Sequence, residues 1–96
     1  MVKGTTSAGF EFEYDETRLD DMRIVDLIAE ADSPTASAFS RFRISSVLVE
    51  MLLGPELKSA LYTFIGASYG GRVPQLELEN ALREIMAAAG KDAEKN

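Results

Sequence analysis

The sequence predicts a mainly α fold, a compact bundle of about four helices with a short N-terminal β-strand or hairpin. Three observations predict it. From Leu19 onward the apolar side chains recur at the 3.6-residue spacing of helices packed on a core. Cap and break residues, among them Ser33-Pro34, Gly54-Pro55 and Gly90, divide that pattern into four pieces. Near the N-terminus, one short stretch alternates instead with the period of two that marks a half-buried strand.

That stretch is GFEFEYDE, in which Phe10, Phe12 and Tyr14 alternate with Glu11 and Glu13. A lone strand is not stable, so it must pair with residues 2–7, pair with another copy of the chain, or lie as an extended arm on the helices. Helix 1 is expected at about 18–31, with Leu19, Met22, Val25 and Ile28, joined by Ile24, Leu27 and Ala31, on its apolar face and Arg23, Asp26 and Glu30 opposite. Asp20 and Asp21 then fall in its first turn, where carboxylates favour the positive end of the helix dipole.

Helix 2 is expected at about 34–53, opened by Ser33 as N-cap and Pro34 at the first helical position and closed by Gly54. Its apolar side chains cover most of the circumference, leaving Arg43, Ser46 and Glu50 as a polar stripe, so it is either central in the bundle or shared with a partner. Pro55 opens helix 3 at about 55–66, with Leu57, Ala60, Leu61, Phe64 and Ile65 on one side and Tyr62 at its polar edge. GASYGGRVP follows as a glycine-rich turn. Helix 4, about 74–89, turns Leu78, Ala81, Leu82, Ile85 and Ala89 inward, with Gly90 as its C-cap.

The chain makes a single domain over 1–96, with 1–9 and 91–96 expected as flexible ends. A domain of this length buries only about 60 to 65% of the surface its unfolded form exposes, so its core is thin. At 46% hydrophobic and 27% charged residues it is globular in composition. Its net charge of −6 is uneven: residues 1–32 hold nine acids and three bases, 33–75 hold two and four, and 76–96 hold five and three. Such an acidic surface repels a phosphate backbone, which argues against nucleic acid as a partner. No apolar run approaches the roughly 20 residues that span a bilayer, and no secretion-type apolar segment stands at the N-terminus, so no membrane partner is expected. The absence of cysteine leaves the interior of a cell as the default compartment.

Catalytic chemistry has little to work with. There is no histidine and no cysteine, and no S-x-x-K, G-x-S-x-G, Walker or dinucleotide-binding motif, so neither an enzyme nor a cofactor is expected. No calcium-loop spacing accompanies the acids. What remains is surface for binding. Phe39, Phe42, Val49, Tyr62 and Tyr69 are the candidate partner-binding residues, with packing and loop anchoring as their ordinary alternative roles.

In order along the chain, GFEFEYDETRLDDMRIVDLIAEAD, LLGPELKSAL and GGRVPQLELENALREIM resemble the tail assembly chaperones of long-tailed bacteriophages and prophages. The resemblance covers about 10–32 and 48–90; residues 33–46 and GASYGG depart from it. It implies a short protein of the bacterial host cytoplasm that binds the long apolar tape measure protein and keeps it soluble until tail-tube subunits polymerise around it. It also implies self-association, and a longer product, made by ribosomal frameshifting, whose extension recruits the tail-tube protein. Gly90-Lys91 is the dipeptide that a G-GGA-AAA or G-GGA-AAG slippery heptamer would encode, which makes it the expected frameshift position. Two other classes stand beside this reading: a structural phage component such as a head–tail connector subunit, and a small helical regulator binding nucleic acid through Arg41, Arg43 and Arg72.

Overall fold

The computed structural model describes the backbone of residues 1–95 and the side chains of residues 1–90. Its order is β1 (Val2–Thr5), β2 (Glu11–Tyr14), a 3₁₀ turn (Glu16–Leu19), α1 (Met22–Asp32), α2 (Ala38–Gly66) and α3 (Gln75–Lys95). The fold is therefore mainly helical with an N-terminal hairpin; among the described residues it has three helices, the second broken by a non-helical residue, where about four were expected.

The three possibilities for the strand resolve to the first. β2 pairs antiparallel with β1, in the register Val2 to Tyr14, Lys3 to Glu13, Gly4 to Phe12 and Thr5 to Glu11. Residues 1–9 are thus not a loose end: Val2 is fully buried and Thr6 nearly so. Thr6 closes the turn, its hydroxyl accepting from the Phe10 amide at 3.0 Å while its own amide donates to the Phe10 carbonyl at 2.9 Å. Val2, Phe12 and Tyr14 face the helices, and Lys3 pairs with Glu13 at 3.7 Å on the outer face. Gly4 is needed opposite Phe12, because a Cβ there would stand 2.8 Å from the ring.

The start of α1 differs from the expected one. Asp20 and Asp21 do not lie in its first turn; Asp21 is extended and caps the helix, accepting from the Arg23 amide at 2.9 Å. The preceding residues form the separate 3₁₀ turn, in which the Thr17 amide donates to the Asp15 carboxylate.

Helix α2 likewise starts four residues later than Ser33-Pro34 suggests. Ser33 and Ala36 close a turn, and Ser37 is the N-cap, its Oγ accepting from the Ser40 amide at 3.1 Å. Gly54 does end a helical run: at φ 85° and ψ 165° it leaves helical geometry, and Pro55 restarts it. The two limbs, 38–53 and 55–66, correspond to the second and third expected helices, joined by a sharp elbow. Arg18 fastens that elbow, its Nη1 donating to the Leu52 carbonyl at 3.0 Å. This satisfies an acceptor that the end of a helix leaves without an intrahelical donor.

Helix α3 packs Leu78, Ala81, Leu82 and Ile85 into the core as expected. Gly90, however, does not cap it, because the helix runs on to Lys95. The expected loose segment from Lys91 is helical in backbone to Lys95, and its side chains, including that of Lys91, lie outside the described residues. Among the described residues no helix is long and apolar enough to cross a membrane.

Candidate binding surface

Helix α2 positions four of the five candidate side chains. Phe39 stands in its first turn, just after the Ser37 cap, and is 78% exposed, the most exposed large apolar side chain among the described residues. A phenyl ring left in water forfeits the burial that a core aromatic gains, so it is a ready contact for a partner. Phe42, three residues on, is half-buried. Val49 is fully buried and cannot touch a partner while the fold is intact. The apolar circumference of α2 that made it a candidate is consumed internally, because α1, α3 and β2 all pack on this helix.

Tyr62 is also engaged. Its hydroxyl lies 3.1 Å from Ser46 Oγ, linking the two limbs across the elbow, and the Lys58 ammonium sits 5.6 Å from its ring centre. Lys58 in turn reaches Glu50 at 3.5 Å. Tyr69 lies apart, 41% exposed in the α2–α3 turn, where the neighbouring Glu77 carboxylate, accepting from its hydroxyl, raises its pKa above the usual value. Gly90 is exposed on α3, remote in sequence from the other five.

The candidates therefore do not form one patch. Between α1 and α2 the fold forms a groove, which Phe39 does not line. Positions 39, 43 and 47 follow at steps of four along one side of α2, and Val47 joins Met51 and Leu27 on the groove floor. Arg18, Arg23, Asp21, Asp26 and Glu30 form its rim, and the open groove holds about 640 Å³. Arg43 bridges the two helices to Glu30 at 3.7 Å. Asp21 is held below the usual carboxylate range, first by the side-chain hydrogen bond from Arg23 and then by the Arg23 amide. It stays ionised, and its hydrogen bonds hold Arg23 along the rim.

Sequence reasoning did not single out Met22 and Val25, 67% and 47% exposed on the outer side of α1. Both had been placed on an apolar face expected to turn inward. Of that expected face, Ile24 is buried and Leu27, Ile28 and Ala31 pack against the core, while Met22 and Val25 stand in water.

Of the three arginines a nucleic-acid regulator would use, Arg43 pairs with Glu30 at 3.7 Å. Among the described residues no three carboxylates stand close enough to hold a metal ion. No protein-family model matches the chain, and no curated protein or solved structure matches it.

Proposed function

We propose that this protein works by binding and not by catalysis, as a tail assembly chaperone that covers apolar stripes of a tape measure protein and keeps it in solution. The observations that support this best are Phe39, left 78% exposed in the first turn of α2, and the groove further along the same helix, lined by Leu27, Val47 and Met51 and by charged side chains. A long helical rod with uncovered apolar stripes aggregates, and an amphipathic helix laid in such a groove hides its stripe. Phe39 would anchor the helix at one end, with Val47, Met51 and Leu27 beneath it. The net charge of −6 would keep a rod coated with many copies soluble.

Gly90 lends weight to the accompanying proposal of a frameshifted, longer form that recruits the tail-tube protein. As a cap it would have had a structural reason to be glycine. Inside α3 it has none: nothing lies within 4 Å of where its Cβ would stand. A helical glycine costs about 1 kcal/mol against alanine. Selection on the codons of Gly90-Lys91 would account for keeping it. A GGC or GGT codon at Gly90 removes this idea, and mass spectrometry for an extended product tests it directly.

The experiment for the main reading is co-expression with the longest reading frame downstream, followed by a solubility and pull-down assay. The expected result is a long helical protein, insoluble alone, that stays soluble and co-purifies with this chain, and loses both with Phe39→Ser. Failure to bind or to gain solubility would dismiss the chaperone reading.

A further inference from the structure

Along α3, Leu76, Glu79, Arg83 and Met86 stand three, four and three residues apart, the spacing of a helix–helix seam. They share one side of the helix, turned away from Ala81 and Ile85 in the core. Leu76 is 62% exposed, Arg83 is exposed, and Glu79 and Met86 are half-buried. Among the described residues neither Glu79 nor Arg83 has an ion-pair partner, and Arg83 donates only to Asn80 Oδ1 at 3.2 Å. Glu79, Arg83 and Met86 also form one lip of a second groove, of about 480 Å³, whose opposite wall comes from α1 and the first turns of α2.

The order apolar, acid, base, apolar is its own complement when reversed. Lay a second α3 antiparallel on the first, with a two-fold axis level with Ala81, and Leu76 faces the copy's Met86 while Glu79 faces the copy's Arg83. Each contact then occurs twice, as an isologous interface requires. The two apolar contacts lie about 15 Å apart along the helix and bracket the two ion pairs. A parallel arrangement sets Glu79 against Glu79 and Arg83 against Arg83, which like-charge repulsion disfavours. A foreign helix would have no reason to meet so symmetric an order of charges.

We propose that this stripe is where two copies of the chain associate, α3 against α3 and antiparallel. The contact is separate from Phe39 and the groove between α1 and α2, and does not depend on the chaperone reading. One dimer would present two of those grooves.

Sedimentation of the full chain from micromolar to millimolar concentration tests it. The wild type is expected to dimerise reversibly and more weakly as salt rises. Glu79→Arg and Arg83→Glu, each placing like charges opposite one another, should weaken association about tenfold or more. The double variant E79R/R83E restores opposite charges at every contact and should recover the dimer. All the substitutions lie on an accessible side of α3, and unchanged circular dichroism would confirm that each variant folds. A wild type that stays monomeric throughout overturns the proposal, including one whose second groove takes a foreign helix instead. So does a dimer indifferent to the single reversals, or a double variant that fails to recover.

Discussion

The hairpin and α1 flank the same long helix and are held in opposite ways. The hairpin commits nearly everything it has: Val2, Phe12 and Tyr14 are buried, the Tyr14 hydroxyl donates to the Ile85 carbonyl at 2.9 Å, and Glu84 accepts from the Ser7 amide at 2.9 Å. Burial also raises the Tyr14 pKa. Helix α1 fully buries only Ile24, leaves Met22 and Val25 in water, and reaches α2 through an exposed ion pair. Exposed pairs of that kind contribute about 0 to 1 kcal/mol. In a domain with so thin a core, one side is a foundation and the other a wall of an open groove, drawn from the less stable end of the structure.

The contrast can be broken most forcefully at Ile85, fully buried where the hairpin meets α3. Ile85→Ala should cost about 3 kcal/mol in urea unfolding; a loss below about 1 kcal/mol would mean that the hairpin is not the foundation. Gly54→Ala comes next, at about 2 kcal/mol, because alanine strains at φ 85°. Tyr14→Phe should cost about 1 kcal/mol by removing one buried hydrogen bond while keeping the ring.

Acid should separate the two sides without any substitution. The Asp21 pKa is lowered in the fold from its ordinary 3.8, so the stability it lends α1 is present above that value and is lost as pH falls through the depressed one. Nuclear magnetic resonance across this range should show α1 amides broadening or shifting before those of β2; simultaneous change would contradict the comparison. Smallest in stability is Phe39→Ser, expected within about 0.5 kcal/mol of wild type while partner capture falls. A large stability loss there would place Phe39 in the fold instead.

What the sequence made legible follows from how local each cause is. The alternation of Phe10, Phe12 and Tyr14 needs only β2 to be seen. Its partner β1 could not be read, because Val2 and Gly4 offer little pattern and Gly4 earns its place only through a ring on the other strand. Gly54 and Gly90 carry the same signal, a glycine after the last apolar residue, with opposite outcomes. Pro55 after Gly54 cannot donate a helical hydrogen bond and favours a fresh start. Gly90 is followed by Lys91, Asp92, Ala93, Glu94 and Lys95, mostly good helix formers, and the helix continues. Ser33 was read as the cap, but the turn from Ser33 to Ala36 passes that role to Ser37. Of the candidate site, Phe39 was legible as an apolar excess on α2; that Val49 is consumed internally depends on three other elements packing around it.

Arg18 sets a rule for where this chain can change its length. The segment 15–20 is mostly exposed and short of regular structure, the usual place for insertions. Yet its guanidinium is fitted to a carbonyl 34 positions further along, at 3.0 Å. One added residue shifts the chain by up to about 3.8 Å, more than that hydrogen bond can stretch. The segment is a strut of fixed length, exposed though it is.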